Sequence, residues 1–206
     1  MTPKDNHIET QQRLLEAAGE VFAERGYHNA TVREICFKAN ANVAAVHYHF
    51  GDKDGLYASV LQHTFKSAME KHPLPPAEGT PEEQLHAHVR AMLRRIFDEG
   101  RPSWHGKLIA REMADPTRAI DSLVEQIRTN QQRLSAVIRQ LISPDEDEDT
   151  VFRCTFSVSG QCLFYYHCRA ILGRLRPELQ CGAGTIDDLA EHITKFSLAA
   201  LREYRQ

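Results

Sequence analysis

The stretch TVREICFKANANVAAVHYHF, residues 31–50, holds two short helical segments separated by a tract that no helix would choose. Thr31 precedes Val32 as an N-cap and Glu34 follows at the third helical position, the spacing of a capping box that opens a helix over Val32 to Lys38. Ala39-Asn40-Ala41-Asn42 then reads as a tight turn. Asn40 stands where a left-handed residue is needed, and Asn tolerates that region better than most non-glycine residues. Val43 to His49 makes a second helix of two turns, stopped by Phe50-Gly51-Asp52. Upstream, Leu14, Ala18, Val21 and Phe22 follow helical spacing and place a helix over Thr10 to Arg25, ended by Gly26 in the C-cap role. Two short helices joined by a turn of three or four residues form a helix-turn-helix, whose second helix can lie in the DNA major groove.

Helical periodicity continues through the rest of the chain. Leu56, Val60, Leu61, Thr64, Phe65 and Ala68 mark one stripe; Leu85, Val89, Met92, Leu93 and Ile96 mark the next. A long stripe runs from Ile120 through Leu123, Val124, Ile127, Leu134 and Val137 to Leu141, and a last one from Ile186 through Leu189, Ile193, Phe196 and Ala200 to Leu201. Sustained period-two alternation is not found, so the chain reads all-α. His72-Pro73-Leu74-Pro75-Pro76 with Gly79-Thr80-Pro81 is the strongest break, and Thr80, Pro81 and Glu83 supply an N-cap, an N1 proline and an N3 glutamate. Gly100-Arg101-Pro102-Ser103 and Asp115-Pro116-Thr117 break the chain again. The acidic run Asp145 to Asp149 reads as an exposed loop or a helix N-terminus leading into a helix around 150–175, and Gly182-Ala183-Gly184-Thr185 separates the last two helices, with Thr185 as cap.

The chain has 206 residues and a mass of 23.4 kDa, 42% apolar and 26% charged, ordinary for a globular protein with a real core. At this size roughly 70% of the unfolded chain's surface can be buried without a disulfide or metal staple. Five cysteines at irregular spacings argue against a disulfide framework and for a reducing, cytoplasmic setting. Met1 to Asp5 are polar with no apolar run behind them, so no secretory signal is expected. The uncharged stretch Cys154 to Cys168 is shorter than a spanning helix needs, and no membrane partner is expected.

Leu15, Ala17, Ala18, Phe22, Gly26, Thr31, Val32, Ile35, Ala39, Tyr48, His49, Phe50, Lys53 and Leu56 together give residues 9 to about 60 a close resemblance to the DNA-binding domain of the TetR family of bacterial transcriptional regulators. The run His47-Tyr48-His49-Phe50 with Lys53 and Leu56 is that family's most recognisable stretch. Two positions depart: Asn40 replaces the usual turn glycine, and His47 sits where an aromatic residue is commoner. The resemblance implies a TetR-type domain over 9–69, with the helix-turn-helix at about 31–50, and an effector-binding and dimerisation domain over 80–206.

The small residues Asn42, Val43, Ala44, Ala45 and Val46 would let the second helix approach base edges. Asn42 could pair with adenine, and Val43 and Ala45 could touch thymine methyls. His47, Tyr48, Lys53 and Thr31 fit phosphate contacts, and Arg33 could reach a phosphate or a base. Residues 1–54 carry six Lys or Arg against eight Asp or Glu, a balance of 6 − 8 = −2, where a nucleic-acid binder is expected to be basic. The expected salt dependence is therefore shallow, and the acidic residues of the first helix should face away from DNA.

Lys107-Leu108-Ile109-Ala110-Arg111-Glu112-Met113 followed by Pro116, and later Gly160-Gln161 with Phe164 and Tyr165, resemble the C-terminal domain of the CerR-type subgroup. That resemblance implies a small-molecule effector. Candidate pocket residues are His88, Trp104, His105, Leu108, Arg111, Glu112, Phe156, Phe164 and Tyr165, although Arg111 and Glu112, being adjacent, cannot both point inward. One recognition helix reads only a few base pairs, so two copies on a near-palindromic operator are expected. The helix around 150–175, with Phe152, Gly160 and Leu163, and the last helix, with Ile193, Phe196 and Ala200, are the candidate homodimer interface.

Other classes find less support. No Cys-x-x-Cys exists, His47/His49 and His86/His88 fall on different helix faces, and Glu83-x-x-His86 lacks the second half of a di-iron motif. No metal, cofactor or enzymatic activity is expected. The reading is thus a homodimeric repressor released from its operator by a small molecule. The alternatives are a small-molecule-binding or enzymatic helical bundle with a relict helix-turn-helix, or a redox sensor built on cysteines such as Cys154 and Cys162.

Overall fold

The computed structural model describes residues 3–98, 100, 102–177 and 183–205. Among these, all regular structure is helical: α1 (Pro3–Asn29), α2 (Val32–Lys38), α3 (Val43–Phe50), α4 (Lys53–Lys71), α5 (Pro81–Ile96), α6 (Trp104–Ala114), α7 (Ile120–Leu141), α8 (Glu148–His167), α9 (Arg169–Leu175) and α10 (Ala183–Leu201), with a 3-10 turn over Arg202–Arg205. None of the described helices is long and apolar enough to cross a membrane. Contacts divide the chain into two units, residues 1–67 with 99–127 and residues 68–98 with 128–206.

In the first unit, α1 turns sharply at Gly26, whose φ of 77° and ψ of 164° suit glycine, so the expected C-cap becomes a kink before Asn29. Arg111 of α6 donates to the carbonyls of Ala23 (2.9 Å) and Glu24 (3.2 Å), satisfying acceptors that the kink leaves open. Thr31 caps α2 by accepting from the Glu34 amide at 3.2 Å, while the Glu34 carboxylate pairs with Arg25 at 3.4 Å. Asn40 has a φ of 48°, the left-handed conformation that the turn requires. Leu14, Ala18, Phe22, Ile35, Val46, Leu56 and Leu108 form a continuous core. Gly19 lets the Trp104 ring lie directly on α1, where an added Cβ would collide with the indole.

In the second unit, the Thr80–Glu83 capping box opens α5 with both reciprocal bonds, 3.2 Å and 2.8 Å. Asp147 of the acidic run is the N-cap of α8, accepting from Thr150 at 2.7 Å, with Glu148 and Asp149 in the first turn where the helix dipole favours negative charge. Leu85, Val89, Leu93, Leu134, Ile138, Val158, Cys162, Ala190 and Ile193 make this unit's core. The helix expected around 150–175 is two helices. Cys168 (φ −91°, ψ 5°) leaves helical geometry between α8 and α9, and with neither glycine nor proline there the apolar pattern gives no sign of the break. Thr185 is inside α10 rather than capping it, since that helix already runs from Ala183; Gly182 lies outside the described residues.

Candidate nucleic-acid interface and effector pocket

Helix α3 is pinned by Val46, which is fully buried, so the opposite side of the helix is what solvent meets. That side carries Asn42, Val43, Ala44, His47 and Tyr48, with Tyr48 76% exposed and therefore no part of the core. Ala45, expected at a base edge, is half-buried and packs against the core instead. It precedes Val46 on the inward arc, and the exposed small residue beside Val43 is Ala44.

Three of the expected DNA-facing groups also build the helices. Asn42 caps α3, its side-chain oxygen accepting from the Ala44 amide at 3.0 Å, and Thr31 does the same for α2. His47 Nδ1 lies 2.7 Å from the Gly51 carbonyl, closing the C-terminus of α3. Lys53 sits with its ammonium 4.5 Å from the centre of the Tyr27 ring and 3.5 Å from the His28 carbonyl, a seat on the rim of the motif. The Tyr27 hydroxyl donates to Asp54, and this bond, with burial, pushes its pKa up to about 12.

The charge problem resolves locally. Arg13, Arg25 and Lys38 are each held by a carboxylate, those of Glu9, Glu34 and Glu20. Arg33 is exposed, and among the described residues it has no carboxylate partner. One turn further along α2, Phe37 is 89% exposed, more than any other large apolar residue described. Sequence reading passed over Phe37, yet the inward set Val32, Ile35, Cys36 and Ala39 already turns position 37 outward.

The nine candidate pocket residues are divided between the two units, Trp104, His105, Leu108, Arg111 and Glu112 in the first and His88, Phe156, Phe164 and Tyr165 in the second. Trp104 and Leu108 belong to the core of the first unit, and His105 stacks edge-on against the Trp104 and His63 rings. Glu112 points inward and Arg111 outward. The fully buried Glu112 carboxylate accepts from the Tyr57 hydroxyl (2.9 Å), the Thr117 amide (2.9 Å) and the Thr117 hydroxyl (3.1 Å). A cavity of about 480 Å³ in this unit is walled by Tyr27, Asp54, Tyr57, Thr117 and Arg118, none of them among the nine. In the second unit His88 is buried, whereas Phe156 and Phe164 are 43% and 57% exposed.

Those two phenylalanines continue an i, i+4 line along α8 that includes Phe152 (60% exposed) and Gly160. On α10 the matching exposed residues are Phe196 (61%) and Ala200, and a groove of about 430 Å³ lies between Phe164, Tyr165, His192 and Phe196. Ile193, expected in the interface, is instead fully buried in its own unit, one position from the outward arc; Leu163 is half-buried.

The sequence matches two family models: bacterial regulatory proteins of the tetR family over residues 14–60, and the C-terminal domain of the HTH-type transcriptional dual regulator CecR over residues 81–201. The subgroup resembled above as CerR-type is therefore the CecR one. Similar proteins include the HTH-type transcriptional repressor Rv3405c of Mycobacterium tuberculosis, 35% identical over 91 residues, which are 44% of this chain and 48% of that protein. The chain thus spans about half the length of such relatives. CecR of Shigella flexneri is 28% identical over 171 residues, 76% of this chain and 75% of its own. Among solved structures, a transcriptional regulator from Rhodococcus sp. Rha1 has a TM-score of 0.64 at 20% identity, covering 94% of this chain and 96% of that one. HlyIIR, a hemolysin II transcriptional regulator, has a TM-score of 0.61 at 19% identity, covering 95% and 98%. These families and relatives are regulators of transcription, not enzymes. An exposed recognition helix on a capped helix-turn-helix, followed by a matched C-terminal domain, places this chain in the TetR family of bacterial transcriptional regulators, with a CecR-type C-terminal domain.

Proposed function

We propose that the chain acts as a homodimeric repressor that grips a near-palindromic operator through two copies of α3 and is released by a small-molecule effector bound in the C-terminal domain, residues 80–206. The observation that carries this reading is the exposed line Phe152, Phe156, Gly160 and Phe164 on α8, with Phe196 and Ala200 on α10. Apolar groups of this size, in line and open to water, fit a surface that a second copy covers, giving a four-helix arrangement across a two-fold axis. Two recognition helices would then meet successive major grooves about 34–36 Å apart, and an effector that changes that spacing lowers affinity. Helix α4, which begins at Lys53 beside the reader and ends in the second unit, is suited to pass on the change.

The test pairs sedimentation velocity with fluorescence anisotropy on duplex DNA from upstream of the protein's own gene. The wild type is expected to sediment as a dimer at micromolar concentration, and Phe156→Glu with Phe164→Glu to give a folded monomer that binds the duplex far more weakly. A wild-type monomer would overturn the reading. The redox alternative gains little from the structure, because burial raises the thiol pKa values of Cys36, Cys154 and Cys162, the last to about 12, away from the reactive thiolate.

A further inference from the structure

Inside the second unit, α5 turns two basic side chains inward on one line. His88 is 3% exposed and Arg95 6% exposed, seven residues apart and so about 10 Å apart along the axis. Arg95 donates to the Met69 sulfur (2.7 Å) and the Asn130 side-chain oxygen (3.2 Å), both neutral; among the described residues no carboxylate pairs with it. Among the described residues His88 Nε2 has no hydrogen-bond partner, and the charges that act on its ring are those of Arg95 and Arg133, both positive. On α7, next to Asn130, Gln131 bonds through its amide nitrogen to Ser159 of α8, while its buried oxygen has no partner among the described residues. Around this polar cluster stand Val89, Leu93 and Val158 of the apolar core. A buried guanidinium near a bare imidazole, with no acid among the described residues to neutralise it, is costly unless something anionic completes it.

Resting on the reading that the C-terminal domain binds an effector, we infer that this effector is an amphipathic organic anion, its carboxylate or phosphate paired with Arg95 and hydrogen-bonded by His88, its apolar body lying among the core side chains of α5, α7 and α8. The anionic group makes charge-assisted bonds to the guanidinium fork that Asn130 and Met69 only partly occupy. Neutral or cationic compounds of the same shape leave the charge uncompensated and are rejected.

The test is thermal unfolding of the full chain with decanoate, benzoate and dodecyl phosphate, against decanol and decyltrimethylammonium as controls. At an anion concentration a hundredfold above Kd, the wild type is expected to gain about 5–10 °C in Tm, with no gain from the neutral or cationic probes. A larger shift with the carboxylates or with the phosphate tells which oxyanion is preferred. Arg95→Met is expected to unfold at the same or a higher temperature than the unliganded wild type, because it removes an uncompensated buried charge, and to lose the anion response. Arg95→Lys, which keeps the charge but not the fork, should retain a weaker response. An Arg95→Met protein that melts several degrees lower, together with a wild type indifferent to every anion, would make Arg95 a structural link to Asn130 and overturn the proposal. Anisotropy on the same samples separates the two claims. Duplex binding that persists without any anion response defeats only the ligand assignment, and an anion response without duplex binding defeats only the regulatory reading.

Discussion

Two buried charges set the units of this molecule apart. Glu112, in the first unit, is fully buried and accepts from Tyr57 and Thr117, so its charge is dispersed over donors from α4 and from the turn after α6. Arg95, in the second, is nearly as deep, and its partners among the described residues are a thioether and an amide. Burial lowers the Arg95 pKa to about 10, while the Tyr57 hydroxyl beside Glu112 is driven upward by burial and by that carboxylate. The contrast teaches that an interior charge can close a structure or leave it open. The first unit uses its charge to fix the turn that follows α6 at Thr117; the second holds a positive interior available to something else.

Substitutions can break or sharpen that comparison. The largest effect is expected from Glu112→Leu, which strands the Tyr57 hydroxyl and the Thr117 donors and should lower stability by about 4 kcal/mol in urea unfolding. His88 follows. Burial first, then repulsion from Arg95 and Arg133, pushes its pKa down to about 4, so the folded chain keeps this imidazole neutral. In the unfolded chain a histidine protonates near 6.5, so as the pH falls from about 6.5 toward 4 the unfolded state takes up the proton first and native stability is lost, by about 3 kcal/mol in full. His88→Phe should flatten that slope relative to wild type across the same window, a difference readable in unfolding midpoints measured pH by pH.

Packing gives smaller effects. Gly19→Ala drives a methyl into the Trp104 ring and should cost about 2 kcal/mol, with an unchanged denaturant m-value showing that cooperative unfolding survives. Asn40→Gly relieves the left-handed φ of 48° and should stabilise by about 0.5 kcal/mol, read as a small rise in the unfolding midpoint.

How far these features could be read from sequence follows from how local their causes are. The bounds of α2, the start of α5 and, to within one residue, the bounds of α3 were legible because Thr31, Asn40, Gly51 and the Thr80–Glu83 box each act within a few residues. The pocket was not legible. Trp104 and Leu108 announce only that they are buried, and nothing in an apolar stripe says which core receives them. Phe156 and Phe164 carry the same ambiguity between a cavity and a surface that another chain covers. Arg95 was the least visible. Next to Arg94 in the last turn of α5 it looks like an ordinary solvated residue opposing the helix dipole, and only the approach of Met69 and Asn130 shows otherwise. Ala45 and Ile193 were misplaced by one position on their helices, an error of about 100° in facing that hydrophobicity alone does not correct.

The account stands most directly on anisotropy titration of the upstream duplex with stoichiometry read at saturation. Two chains per duplex, a modest decline of affinity with salt, and loss of binding in Tyr48→Ala with Lys53→Ala are the predicted results. Binding that ignores both substitutions, or saturation at one chain per duplex, would contradict it.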